Sequence, residues 1–182
     1  MNKRKIAKGT ALILEGLIGP EWEQDENYVG TPDRVARFYE EMFTPRDYTV
    51  PVFKSTASQM IILAHHTEWT FCPHHLLPVE LDISVAYIPN KHVVGLSKLA
   101  RIVQNHLTEP ILQETITDSV ADEIQKRLRS MGAAVRVIGR HDCMRIRGVH
   151  STGHVVTTAL RGVFLEKAEV RGEFFSAIGT KQ

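Results

Sequence analysis

Glu80-Leu-Asp-Ile-Ser-Val-Ala-Tyr87 decides the architecture. Leu81, Ile83, Val85 and Tyr87 alternate with Glu80, Asp82, Ser84 and Ala86, the period of a strand with one face in a core. Pro89-Asn90 closes that strand with a turn. The period then changes. Ser97 caps a helix whose apolar residues are Leu99, Ile102, Val103 and Leu107. Pro110 opens a second helix, with Leu112, Ile116, Val120, Ile124 and Leu128 at four-residue intervals and Gly132 as its stop. Strands resume over 133–139, around 143–147 and near 155–158, and a short helix is expected over 173–178. Strands on either side of a helix pair predict an α+β fold on an antiparallel sheet.

Upstream of residue 51 the pattern is helical. The apolar stretch 5–18 leads to a Gly19-Pro20 break, and Thr31-Pro32 offers an N-cap followed by a proline at the first helical position. Val35, Phe38, Tyr39 and Met42 continue as one helical stripe, which Pro45 ends. Two regions follow: a helical N-terminal region, 1–50, and an α+β catalytic domain, 51–182.

Composition narrows the function. With 43% hydrophobic and 24% charged residues, a chain of 182 residues reads as a globular protein of about one domain. The net charge of +1 gives no global attraction to nucleic acid or anionic lipid, so any anion site must be local. No apolar run is long enough to span a membrane. Met1-Asn2-Lys3-Arg4-Lys5 resembles the start of a secretory signal, but Lys8 and Glu15 interrupt the apolar run, so a cytoplasmic location is expected. In that compartment two cysteines stay reduced and, beside histidines, point to metal or catalysis.

The two cysteines stand in Cys72-Pro73-His74-His75 and His141-Asp142-Cys143. A Cys-x-x-His turn can present both side chains to one ion, and Cys143 would close the site from far along the chain. Cys₂His leaves a tetrahedral position open, as in catalytic zinc sites, and predicts a metal-dependent hydrolytic enzyme. Strand alternation would put His141 on the face of Cys143, beside the ion and able to act as general acid or base. His74 should point away from the ion, either moving protons or bonding a carbonyl. Lys98 and Arg101 sit in a first helical turn, where cations oppose the helix dipole. They form either a solvated basic face or, with Arg147 on the strand face of Cys143, an anion site. Gln113 and Glu114 open the long helix; Glu114 is either a favourable first-turn acid or an acceptor for a guanine edge.

These motifs together resemble the GTP cyclohydrolase I family. The similarity covers about Thr31 to the C-terminus. It is carried by Cys72-Pro-His-His-Leu-Leu-Pro78, Val85-Ala-Tyr-Ile-Pro89, Val94-Gly-Leu-Ser-Lys-Leu-Ala-Arg-Ile-Val103, Leu112-Gln-Glu-Thr-Ile-Thr117 and His141-Asp-Cys-Met-Arg-Ile-Arg-Gly148. Thr31-Pro-Asp-Arg-Val-Ala-Arg37 and Arg171-Gly-Glu-Phe-Phe175 extend it. The resemblance implies the tunnelling fold, a toroidal homo-oligomer with active sites between subunits, and Zn2+ on Cys72, His75 and Cys143. It implies that the imidazole ring of GTP is opened, formate is expelled and 7,8-dihydroneopterin triphosphate is formed, for folate, another pterin or a deazaguanine. It further implies that His141 protonates the purine, His74 assists proton transfer and Ser97 serves the ribose rearrangement. Gln113 and Glu114 would read guanine, while Lys98, Arg101, Arg147 and a neighbouring subunit's Arg34 would hold the triphosphate.

Two departures stand out. Pro73 replaces the acidic residue usual before the first histidine, and His150-Ser-Thr-Gly-His-Val-Val-Thr-Thr158 is less rich in Ser and Thr than usual. They leave two alternatives: a non-catalytic or altered-substrate purine- or pterin-binding paralogue, and a relative of the deazaguanine nitrile reductases. The full three-ligand set speaks against the second.

Overall fold

The computed structural model describes residues 1–45 and 49–179. The chain divides into two compact units, Met1–Pro45 and Arg46–Gln182.

In the first unit, α1 (Lys3–Ile18) is capped by the Asn2 side chain, which accepts from the Lys5 amide. A 3₁₀ turn, Pro20–Gln24, leads to α2 (Thr31–Phe43). Lys3 and Glu40 join the two helices through an ion pair at 2.9 Å. Thr31 is not the cap that the sequence suggests. Gly30 takes that position, and the Thr31 hydroxyl accepts from the Arg34 guanidinium at 2.7 Å instead.

The second unit is built on an antiparallel sheet of order β2-β3-β5-β6. Its strands are β2 (Ile61–Phe71), β3 (Pro78–Ile88), β5 (Gly132–His141) and β6 (Val155–Gly162). A two-stranded ribbon pairs β1 (Val52–Lys54) with β4 (His92–Val94). Between β4 and β5 run α3 (Leu96–Asn105) and α4 (Gln113–Leu128). Short helices α5 (Asp142–Arg145) and α6 (Val163–Glu166) and the longer α7 (Ala168–Ile178) complete it. The expected α+β class, with an antiparallel sheet and two packed helices, is the observed one.

The core explains the arrangement. Val79, Leu81, Ile83, Val85 and Tyr87 of β3 pack with Leu99, Ile102, Ile116, Val120 and Ile124 of the helix pair. Each fully buried aliphatic side chain of this kind contributes about 1.5–3 kcal/mol. The opposite face of β3 is not simply solvated: Ala86 is buried with Phe164, Phe174 and Ile178 from the last two helices. Ser84 is also buried, and its hydroxyl accepts the His65 amide at 3.1 Å.

Several expected boundaries move, each for a local reason. Gly95, not Ser97, takes the N-cap position of α3, with no side-chain cap. Pro110 lies in the connection, and α4 begins at Gln113. The same helix stops at Arg129, which adopts φ 48°, so Gly132 is free to open β5. Cys143–Arg147 is not a strand. The β3–β5 ladder ends at Val79↔His141, next to Pro78, which has no N–H to extend it, and the chain turns into α5. The sequence pattern also missed β2 as a strand. A bulge between Leu63 and His66 shifts its register, so its alternation breaks midway.

Candidate active site

The turn that joins β2 to β3 carries Cys72, His74 and His75. It is closed by the Cys72 amide on the Leu77 carbonyl at 2.9 Å and the Leu76 amide on the Cys72 carbonyl at 2.8 Å. Leu76 takes φ 52° to complete it. Neither bond uses the backbone nitrogen of residue 73, so Pro73 occupies a position where a missing N–H costs nothing. Cys72 is buried at the sheet edge of the core, while His74 and His75 are exposed.

Cys143 arrives from α5. One ligand atom each from Cys72, His75 and Cys143 can be chosen so that all lie within 4.8 Å of one another. Cys72 Sγ is 4.0 Å from His75 Nδ1. Ligands at zinc bond lengths in a tetrahedron stand roughly 3.5–3.8 Å apart, so the site closes on an ion with side-chain shifts of about 1 Å. The donor set, two sulfurs and one imidazole nitrogen, suits zinc and leaves one position open. Burial pushes the Cys143 thiol up, and Cys72 beside it adds to the effect.

His74 does not turn away from this group. Its Nδ1 is 3.7 Å from Cys72 Sγ, and its ring meets that of His75 edge-on. Arg147 reaches the site from beyond α5, not along a strand, and its guanidinium donates to His75 Nε2 at 2.7 Å.

A second group stands at the end of β5. His141 Nε2 lies 2.8 Å from Gln113 Oε1. Burial lowers the His141 ring's proton affinity, and the charge of nearby Glu114 opposes that. Gln113 is buried, with its amide nitrogen on the Val137 carbonyl, the Val155 carbonyl and the Thr157 hydroxyl. Glu114, one residue on, is exposed.

Other expected site residues lie apart from these bonds. Ser97 and Arg101 are exposed on α3 and Lys98 is half-buried; among the described residues none bonds to the Cys72–His75–Cys143 group. Arg34 belongs to the first unit, where it bonds the Asn27 carbonyl and Thr31. Two residues were not singled out by sequence: Gly139 and Thr157. The first had a signal, since a lone glycine inside a strand marks a close approach of another group.

Sheet, helix pair and a Cys₂His cluster define a class: an α+β protein with a candidate site for one metal ion. The comparisons with known proteins are specific. The family model described as GTP cyclohydrolase I matches residues 7–179. The GTP cyclohydrolase 1 of Hydrogenobaculum sp. (strain Y04AAS1) is 42% identical over 181 residues, covering 98% of this chain and 98% of that protein. That of Clostridium perfringens (strain 13 / Type A) is 40% identical over 184 residues, again with 98% of each covered. That of Aquifex aeolicus (strain VF5) is 39% identical over 181 residues, with 98% of this chain and 97% of that protein covered. A solved structure of the archaeosine synthase QueF-Like in the apo form has a TM-score of 0.48 at 17% identity, covering 60% of this chain and 97% of that one. The chain belongs to the GTP cyclohydrolase I family.

Proposed function

We propose that Cys72, His75 and Cys143 hold a zinc ion with which this GTP cyclohydrolase opens the imidazole ring of GTP, releases formate and forms 7,8-dihydroneopterin triphosphate. The carrying observation is the convergence of three soft donors within 4.8 Å, brought from the β2–β3 turn and α5. When bound there, zinc supplies Lewis acidity that makes hydroxide available near neutral pH.

The protein's own groups have separable tasks. His141, held at the end of β5, donates a proton to the purine as its ring opens. His74, lying against Cys72, is placed to move protons at the same centre. Glu114 accepts from the guanine edge and is exposed to do so. Arg147, Lys98 and Arg101 supply cations for the triphosphate, and Arg34 would add one from a neighbouring subunit of a toroidal homo-oligomer. Ser97 serves the later ribose rearrangement. A cytoplasmic pathway toward folate, another pterin or a deazaguanine fits this product. The turn's hydrogen bonds bypass residue 73, so the backbone gives no reason to prefer the non-catalytic alternative.

The test combines metal analysis with product analysis. Purified protein should carry one zinc per chain and release formate and pterin from GTP in equal amounts. Cys143→Ala should lose both metal and turnover. Turnover retained without metal would refute the mechanism, and tight GTP binding without formate release would favour the non-catalytic alternative.

A further inference from the structure

Gln113 is the most fully committed polar side chain of the site. Val137 and Val155 face it through backbone carbonyls, at 3.2 Å and 3.0 Å, and a carbonyl oxygen only accepts. The side-chain nitrogen must therefore lie on the strand side, where it also donates to Thr157 Oγ1 at 3.1 Å. That hydroxyl is itself 2.6 Å from Thr117 Oγ1, and Thr117 is anchored on the Gln113 carbonyl at 2.7 Å. With the nitrogen so fixed, the amide oxygen can only face His141. An amide oxygen has no proton to give, so His141 Nε2 must carry one.

The slot is built for this contact. Gly139 lies directly beneath, and a Cβ there would collide with Gln113 Oε1 and stand 2.9 Å from His141 Nε2. The absent side chain at 139 is what admits the amide and the ring together.

The geometry points to Gln113 as a positioning residue that locks His141 in the Nε2–H tautomer, leaving Nδ1 as the only ring nitrogen free to exchange a proton with substrate. This assignment rests on the GTP cyclohydrolase reading for its catalytic meaning, but the tautomer itself does not depend on the substrate. It moves Gln113 from the guanine edge to a place behind the histidine and leaves base reading to Glu114.

The experiment has one arm that needs no variant of Gln113. Nitrogen-15 NMR of histidine-labelled wild-type protein, at mildly alkaline pH where imidazole is neutral, should show His141 as a single Nε2–H tautomer, assigned by its loss in His141→Asn. A Nδ1–H tautomer would overturn the proposal, whether or not the protein turns over GTP. The second arm uses Gln113→Met, which fills the slot without hydrogen-bonding. Its kcat should fall by about tenfold or more, with KM for GTP, zinc content and the preference for GTP over inosine triphosphate unchanged. A raised KM with kcat retained, or a collapsed preference for GTP, would show that Gln113 reads the base directly. Thr157→Val, which removes one of three acceptors, should lower kcat in the same sense by less; an effect on KM alone would count against the relay. Absence of turnover in the wild type would sink the functional reading and leave the tautomer result standing.

Discussion

Gly139→Ala is a one-carbon test of the slot beneath Gln113. The new methyl would overlap the amide oxygen and press on Cδ at 3.0 Å, with β5 backbone beneath that cannot yield. The Gln113 side chain must therefore leave. Its departure forfeits the His141 bond and the two N–H bonds that its amide can make at once, three bonds of about 1 kcal/mol each. Replacing glycine by alanine inside a strand returns about 0.5–1 kcal/mol. The net destabilisation is about 2–2.5 kcal/mol. Urea denaturation at fixed protein concentration should read this as a midpoint lowered by about 1 M, with the slope unchanged at about 2 kcal/mol per molar. The double substitution Gly139→Ala, Gln113→Ala removes the colliding amide and should cost less than the sum of the singles by about 1–3 kcal/mol. Additive losses, or a midpoint for Gly139→Ala within about 0.2 M of wild type, would refute the collision.

Three further outcomes follow from the same contacts. The Arg147 guanidinium donates to His75 Nε2 at 2.7 Å; if His75 held an ion through its other ring nitrogen, Nε2 would carry hydrogen and Arg147 would need another acceptor. Arg147→Ala should keep one zinc per chain yet weaken inhibition by inorganic triphosphate by about tenfold or more, the worth of a charge-assisted bond; unchanged inhibition would remove Arg147 from the phosphate site. Pro73→Asp should leave metal content intact and cost about 0.4–1 kcal/mol in urea, because proline acts there by restricting the unfolded chain; loss of metal would show that proline shapes the turn. Burial raises the Tyr87 phenol above its ordinary value, against the lowering by the Val94 amide that it accepts. Its contribution to stability is therefore present below about pH 10 and lost as pH rises through the higher folded value. Tyr87→Phe should cost about 1–3 kcal/mol at neutral pH, from the buried amide left without an acceptor, and should flatten the alkaline fall in the urea midpoint; an undiminished fall would assign it to other groups.

The sequence was most legible where chemistry and period coincide. Leu81 to Tyr87 and the stripe from Ile116 to Leu128 pack as their spacing says, because burial follows directly from period in both. Cys72, His75 and Cys143 were legible from residue type alone, and the fold brings them together. Boundaries were less so. Ser97, Pro110 and Gly132 are good local signals, but α3 and α4 begin and end where packing against the sheet and the αL turn at Arg129 place them. Arg147 approaches from beyond a helical turn because Pro78 cannot extend the ladder past His141. The least legible feature is the Gln113 slot. It depends on β5 and β6 registering so that Gly139, Val155 and Thr157 surround one side chain, and no local pattern encodes that.

The bulge in β2 has a consequence for the Cys72–His75–Cys143 cluster. Below it Ile61 and Leu63 pair with Tyr87 and Val85, so odd-numbered side chains of β2 share the helix-facing side. Above it His66, Glu68 and Thr70 pair with Ile83, Leu81 and Val79, so even-numbered ones do. The extra residue inverts the parity of the strand, and Cys72 inherits the inverted sense. Meanwhile β5 runs through its ladder unbroken, carrying odd-numbered His141 to that side just before Cys143. Deleting Ala64 or His65 would leave one residue opposite Ser84, so His66 to Cys72 would keep their side and their partners; a regular ladder run through both residues without the bulge would instead send Phe71, in place of Cys72, toward Cys143. Which side chain meets Cys143 is thus set several residues before Cys72, by a count.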